Sequence, residues 1–147
     1  MKLKMKEANP PAKMEDIENY QKKHNIKLPQ DYIEFLLEND GVESTEWMFY
    51  NTKTYTWEQT LIDEFLSVQR LENCAECFDD DDIHHTIYTL KKMGAIIIAS
   101  NDSAEFSIGI EEHNFGHIFI SNFLEDDEII KIADNFTEFI NGFEYEE

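Results

Sequence analysis

The stretch LPQDYIEFLLENDG, residues 28–41, has the pattern of one short helix together with its two ends. Its apolar side chains recur three and four positions apart, the spacing that places them on one face of an α-helix. Pro29 suits the first helical turn, where its missing N–H group has no intrahelical partner to lose. Gly41 can adopt the left-handed conformation that commonly ends a helix. The apolar face consists of Tyr32, Ile33, Phe35, Leu36 and Leu37.

A second helix is predicted just before this stretch, over MEDIENYQKKHN, residues 14–25. Met14, Ile17 and Tyr20 lie three residues apart and therefore share one helical face. Only a short link, IKL, separates the two helices, so the sequence predicts a helical hairpin.

Residues 1–13, which end in NPPAK, are predicted to be a flexible basic arm. The arm carries four of the chain's 12 basic residues. We expect one folded domain over residues 14–147, with an acidic C-terminal tail, because the chain has the usual length of a single domain and shows no internal repeat.

The rest of the chain has mainly the character of strands. Residues 46–57 are rich in aromatic and β-branched side chains, whereas residues 61–68, LIDEFLSV, fit either a strand or a helix. AIIIAS, residues 95–100, predicts a buried strand. EFSIGIEE, residues 105–112, alternates apolar and polar positions as a half-buried strand does. HIFIS, residues 117–121, then predicts a returning strand.

The C-terminal segment EIIKIADNFTEFINGF, residues 128–143, is predicted to end in a helix. Asn135 can cap the start of this helix, and Glu138 lies three residues further on, the spacing of a capping box.

The charge of the chain is strongly negative. It has 32 acidic and 12 basic residues, a net charge of −20. From residue 14 onward there are 31 acids and 8 bases, so the expected domain carries −23. Binding to nucleic acid requires clustered Lys and Arg side chains, and Arg70 is the only arginine. The sequence therefore argues against direct nucleic-acid binding and favours a cationic partner, although acidity also serves solubility.

The composition also bears on location. Two cysteines are too few for a disulfide framework. The N-terminal stretch lacks the apolar core of a secretory signal, and the longest apolar run, residues 95–99, is much shorter than a membrane span. We therefore expect a cytoplasmic protein that does not bind membranes.

The stretch NCAECFDDDDIHH, residues 73–85, raises the question of a metal site. Cys74 and Cys77 have the spacing of one zinc-ligand pair. His84 and His85 do not complete it, because adjacent helical residues point about 100° apart. Calcium-binding loops that begin at the first or second aspartate lack the required glycine and glutamate.

Thiol chemistry is equally disfavoured in this stretch. A reactive cysteine requires a lowered pKa, and the surrounding carboxylates act in the opposite direction on Cys74 and Cys77. The simpler interpretation is an amphipathic helix over residues 82–93, since Ile83, Ile87 and Leu90 recur with helical spacing. The aspartates then lie at its N-terminus, where negative charge is favourable. We expect no catalytic residue, no metal and no cofactor.

At LPQDYIEFLLENDG the chain resembles the SUKH superfamily, which includes the Smi/Knr cell-wall-assembly regulators and many bacterial immunity proteins. The resembling positions are Leu28, Pro29, Asp31, Tyr32, Phe35, Leu36, Asn39 and Gly41, with Asp40 where the family commonly has glycine. The segment AIIIASNDSAEFSIGI is similar to the family's strand, polar loop and strand. In that loop, Ala104 and Glu105 replace the usual glycines. GHIFISNF and IADNFTEFI are similar to its later strand and helix.

The resemblance covers about residues 14–143 and implies an α+β fold: a twisted, largely antiparallel β-sheet with helices packed against it. It also implies function by binding, because most bacterial members neutralise toxins, many of which are nucleases with cationic active sites. A dense carboxylate surface suits such a partner.

The sequence thus favours an intracellular immunity protein that covers the active surface of a cognate toxin. The candidate partner-binding residues are Glu72, Glu76, Asp79, Asp80, Asp81, Asp82, Glu125, Asp126, Asp127 and Glu128, with Trp47 and Trp57 as possible aromatic anchors. Two alternatives remain open at this point. One is a regulatory scaffold that docks on an endogenous enzyme, as the cell-wall regulators do. The other is a metal or thiol enzyme built on Cys74, Cys77 and His84.

Overall fold

A computed structural model of the chain describes residues 5–8, 10–45, 48–51, 56–60, 64–76, 92–100, 104–122 and 129–145. It contains helices and antiparallel strands in one α+β arrangement, which confirms the expected fold class. The described helices are α1 (Met14–His24), α2 (Gln30–Glu38), α3 (Val68–Glu76) and α4 (Phe136–Asn141). The described strands are β1 (Met5–Ala8), β2 (Val42–Thr45), β3 (Met48–Asn51), β4 (Thr56–Thr60), β5 (Glu64–Phe65), β6 (Ala95–Ser100), β7 (Ala104–Gly109), β8 (Ile118–Asn122), β9 (Ile129–Ala133) and β10 (Phe143–Tyr145).

These strands form two antiparallel sheets. The larger sheet has seven strands in the order β1-β2-β5-β6-β7-β8-β9, and the smaller sheet has the order β10-β3-β4. Strands β6 to β9 follow one another along the chain and pair in sequence, so they form a meander. The strands predicted within residues 95–100, 105–112 and 117–121 are confirmed.

The predicted helical hairpin is also confirmed. Helix α1 ends at Asn25, which adopts the left-handed conformation (φ 53°, ψ 48°), and the chain turns there into α2. The side chain of Gln21 fixes the link, since its Oε1 accepts a hydrogen bond from the Leu28 N–H at 2.8 Å. Gly41 adopts the expected left-handed conformation (φ +86°), two residues beyond the C-cap of α2 at Asn39.

The hydrophobic core lies between the helices and one face of the seven-stranded sheet. Aromatic rings of α2 and α4 form its centre: the ring of Phe136 lies 5.1 Å from Tyr32 and 5.2 Å from Phe35, both edge-on. Edge-to-face contacts of this kind add to the stabilisation that burial alone provides. Phe65 and Phe139 extend the cluster towards the sheet.

Two expectations differ from the structure. The first concerns the arm: residues 5–8 form a strand paired with β2, and the Ala12 N–H donates to the Leu36 carbonyl at 2.9 Å. The backbone groups of β2 and the end of α2 provide partners for this segment. Such partners are distant in sequence, so the local composition of residues 1–13 does not reveal them.

The second difference concerns strand β7, whose expected half-buried pattern is wrong. Phe106 and Ile108 are buried as predicted, but Ser107 on the opposite face is also fully buried. Ser107 pairs with Phe119 of β8, which forms a second, smaller apolar cluster with Ala95 on that face of the sheet. The sheet is therefore covered on both sides at this point.

Candidate protein-interaction surfaces

The helix pair α1–α3 is joined by Glu72, one of the residues expected to contact a partner. Its carboxylate lies 3.2 Å from Lys23 Nζ and 3.2 Å from His24 Nε2, and its side chain is only 20% exposed. Burial raises the pKa of Glu72, but the hydrogen bonds with His24 and Lys23 outweigh this and lower the pKa below its ordinary value. Glu72 therefore stabilises the fold, and its charge is largely compensated within the chain.

The remaining predicted residues are placed only in part. Glu76 is the last residue of α3, and Trp57 lies in β4. Asp79–Asp82, Glu125–Glu128 and Trp47 fall outside the described residues, as does most of the helix predicted over residues 82–93. Whether these side chains form one surface stays a prediction.

The metal question concerns the same stretch. Cys74 lies on α3, whereas Cys77, His84 and His85 fall outside the described ranges. Among the residues that the structure does describe, no group of three or more His, Cys, Asp or Glu side chains has an arrangement that could hold a metal ion.

Sequence reasoning did not reveal the roles of two aspartates at the ends of α2. Asp31 Oδ1 accepts from its neighbour's N–H, Tyr32 N, at 2.9 Å. Asp31 Oδ2 accepts from Thr137 N at 2.9 Å and from Thr137 Oγ1 at 3.0 Å, so one carboxylate serves the first turns of both α2 and α4. Asp40 Oδ1 accepts from Val68 N at 2.8 Å and so caps α3. The signal available in the sequence was an aspartate in a first helical turn, which does not identify the distant partner.

Helices α2 and α4 enclose a groove of about 250 Å³, here called the α2–α4 groove. Phe35, Phe136 and Ile140 form its apolar floor, and all three are buried. Its polar lining consists of Asp31, Glu34, Glu38, Thr137 and Asn141. Among the residues that the structure describes, the lining therefore contains three carboxylates and no cationic side chain.

A second, wider groove of about 800 Å³ lies where the α1–α2 link faces the turn between β7 and β8, and is called the elbow groove. Its apolar residues are Ile26, Leu28, Ile33, Ile110 and Phe115. Phe115 is 43% exposed, which is unusual among the large apolar side chains of the described residues. The charged residues in the described part of this lining are Lys22, Lys27, Glu18 and Glu111, so their opposite charges are balanced.

The turn that carries Phe115 is held by Asn114, which is buried. Its Oδ1 accepts from Glu111 N at 3.0 Å, and its Nδ2 donates to the Met93 carbonyl at 2.8 Å. The backbone of Gly109 approaches Asn114 so closely that a Cβ at Gly109 would collide with the Asn114 carbonyl. The turn is therefore tightly packed against β7, and Phe115 projects from this packed, hydrogen-bonded turn.

The sequence matches the model of the SMI1 / KNR4 family (SUKH-1) over residues 11–142, nearly the whole chain. The chain belongs to the SMI1 / KNR4 family. Membership confirms the resemblance read from the motifs, and it supports a non-enzymatic role at family level, in immunity or in Smi/Knr-type regulation through protein–protein interaction. No curated protein matches the sequence significantly. Within the described residues, no helix has both the length and the apolar character required to cross a membrane.

The positions that resemble the family's motif can be compared with their roles in the structure. Asp31, Tyr32, Phe35 and Leu36, which resemble the family's motif, are the residues that form the core and the α2–α4 connection in this structure. Asp40, where the family commonly has glycine, caps α3 instead. These motif residues therefore have a structural role in this protein.

Proposed function

We propose that this protein is an intracellular immunity protein that neutralises a cationic toxin, of nuclease type, by covering its active surface. The observation that carries the proposal is the charge of a SMI1 / KNR4 family member: −20 for the chain and −23 from residue 14 onward. An enzyme that grips phosphate presents Lys and Arg side chains, and a carboxylate-rich inhibitor is attracted to such a surface. Occlusion requires no catalytic residue, metal or cofactor in this chain.

The proposed contacts are the acidic residues Glu76, Asp79–Asp82 and Glu125–Glu128, with Trp47 and Trp57 as anchors. Glu72 is the weakest of the original candidates, because Lys23 and His24 already compensate its charge. Long-range attraction between unlike charges mainly accelerates encounter and is screened by salt.

Growth rescue tests the function directly. The chain is co-expressed with the C-terminal toxic domain of a large secreted protein encoded beside it, and an equally acidic unrelated protein serves as the control. Specific rescue by this chain is expected. If no neighbouring toxic domain is neutralised, the immunity proposal fails.

Association kinetics test the contacts. Replacing Asp79–Asp82 by lysine is expected to slow association with the toxin identified in the rescue experiment. The dependence of the association rate on salt should also become weaker. The matched control replaces four exposed acids of the described surface, Glu15, Asp16, Glu18 and Glu112, by lysine. Equal effects of the two charge reversals would show that only net charge matters and would refute the assigned contacts.

The family also favours a second candidate, a regulatory scaffold of the Smi/Knr type that docks on an endogenous enzyme. This function predicts a partner that is captured from growing cells in the absence of any toxin. The regulatory function would be refuted if deletion of the gene caused no growth or envelope phenotype while the chain still protected cells from the toxin.

A further inference from the structure

The α2–α4 groove has the dimensions and lining of a pocket for one extended side chain. Its volume is about 250 Å³, and its apolar lining consists of Phe35, Phe136 and Ile140. A floor of this kind favours the methylene groups of a long side chain, which can lie along apolar surface while the polar end remains in contact with water.

The charges of the groove determine which side chain fits. Asp31, Glu34 and Glu38 lie along one side of α2, and none of the described residues that line the groove is Lys, Arg or His. The carboxylate of Asp31 is already occupied by hydrogen bonds to Tyr32 and Thr137. Within the described part of the chain, neither Glu34 nor Glu38 has a hydrogen bond or ion pair through its carboxylate. Two like charges one helical turn apart disfavour each other, so a cation placed between them is stabilising.

We propose that the α2–α4 groove binds an arginine side chain of a partner protein. The aliphatic stem lies over the apolar floor, and the guanidinium group donates hydrogen bonds to the carboxylates of Glu34 and Glu38. A planar guanidinium group has several donors directed away from one another, so it can bridge two carboxylates, whereas a lysine ammonium group acts as a single compact charge.

The partner is a cationic protein under the function proposed above, and in this respect the inference rests on that function. The groove is formed by described residues of α2 and α4. Net charge alone attracts any cationic protein, whereas this pocket would select a partner with an arginine at the matching position.

A titration with a small probe tests the groove without any toxin. The probe is N-acetyl-arginine amide, its neutral control is N-acetyl-citrulline amide, and backbone amide chemical shifts of the full chain are recorded. Saturable shifts at Glu34, Glu38, Thr137 and Asn141 are expected for the arginine probe and not for citrulline. The double variant Glu34→Gln/Glu38→Gln should weaken binding about fivefold or more, since two exposed charge pairs are lost.

The matched control is Glu18→Gln/Glu111→Gln, which removes the same charge from the elbow groove and should leave the arginine titration unchanged. The inference is overturned if citrulline produces the same shifts, if the shifts spread evenly over the acidic surface, or if both double variants behave alike. Equal binding of the corresponding lysine probe would refute the choice of arginine. Tighter binding of Ca²⁺ at the same amides would instead identify a cation site.

The rescue experiment separates this inference from the proposed function. If the wild-type chain and Glu34→Gln/Glu38→Gln neutralise the toxin equally well at limiting expression, the groove proposal fails and the immunity function stands. If the wild-type chain neutralises no toxin, the function fails, and the arginine titration still decides whether the groove binds a guanidinium group. Selective loss of rescue in Glu34→Gln/Glu38→Gln, with Glu18→Gln/Glu111→Gln unaffected, supports both.

Discussion

Helix α2 contributes residues to two grooves that differ in charge and in construction. The elbow groove is wide, has an exposed Phe115, and balances Lys22 and Lys27 against Glu18 and Glu111. The α2–α4 groove is smaller, and its described lining has three carboxylates and no cationic side chain. A net charge of −20 is therefore not spread evenly over the described surface. Among the described lining residues, the charges of one groove are balanced and those of the other are all negative.

The two grooves are also held together by different interactions. The outer wall of the elbow groove depends on a close backbone approach between Gly109 and Asn114. The α2–α4 groove depends on a carboxylate, Asp31, that accepts hydrogen bonds from both helices. Backbone contact cannot be relieved by a side-chain rotation, whereas a lost hydrogen bond can be partly replaced by water. This difference predicts the order of the following effects.

Gly109→Ala is expected to have the largest effect. The added Cβ collides with the Asn114 carbonyl, so the turn must shift, and we expect a loss of about 3 kcal/mol in the free energy of unfolding measured in urea. Gly116→Ala is the control: its added Cβ would make only ordinary van der Waals contact with Pro29, but its φ is +82°, and it should lose only about 1 kcal/mol. A loss at Gly109 no larger than at Gly116 would contradict the steric account.

Asp31→Ala should have the next largest effect, because three donor groups lose their acceptor. We expect a loss of about 2 kcal/mol in the free energy of unfolding. Asp31→Asn keeps one oxygen and should lose less. The neighbouring variant Glu34→Ala removes the same charge from an exposed position and should leave stability nearly unchanged. Equal losses for Asp31→Ala and Glu34→Ala would show that charge, and not the helix connection, determines the effect.

Phe115→Ser is predicted to cost about 1 kcal/mol or less, because nearly half of the side chain is already exposed and little apolar area is lost from the core. Met14→Ser, at the other large apolar side chain with 43% exposure, should behave similarly. Thermal and urea unfolding measure both variants. A loss above about 2 kcal/mol at Phe115 would mean that the ring is part of the core, and the elbow groove would then have no exposed anchor.

Glu72→Gln should have the smallest effect, about 0.5 kcal/mol at neutral pH, because the partly exposed pair is screened by solvent. The folded-state pKa of Glu72 lies below its ordinary value, so the pair stabilises the protein above the unfolded-state pKa. This contribution is lost as the pH falls through the folded-state pKa.

The measurement for Glu72 is the difference in unfolding free energy between the wild type and Glu72→Gln across the acidic range. The difference should shrink as the pH falls below about 4. A difference that stays constant with pH would exclude the ion pair as its cause. Combination with Lys23→Gln in a double-mutant cycle isolates the contribution of the ammonium group.

Much of the fold was predictable where the determinants are local. The hairpin of α1 and α2, the strand Ala95–Ser100 and the start of α4 all follow from residues within one or two turns of each other. At α4 the predicted cap is confirmed, since Asn135 Oδ1 accepts from Glu138 N at 2.7 Å. Residues 61–68 fitted either a strand or a helix because they contain both: β5 ends at Phe65, and α3 begins at Val68.

The candidate site was much less predictable. Glu72 was expected to be a partner contact, but its charge is compensated by residues 48 and 49 positions away. Glu34 and Glu38 were not expected to form a site, because in the sequence they are ordinary polar positions on the outer face of a helix. A groove forms only because α4 packs beside them. The contact that joins the two helices is between Asp31 and Thr137, which are 106 residues apart in the sequence.

The sequence by itself determined the family, the α+β class and the strongly negative charge, because motif order, periodicity and composition are properties of the chain alone. The tertiary structure decided which carboxylates are neutralised and which remain available. Electrostatic interactions depend on distance in space, and the distances between Glu72 and Lys23 or between Asp31 and Thr137 are set only when the helices pack. The difference between the two grooves of α2 follows from that packing.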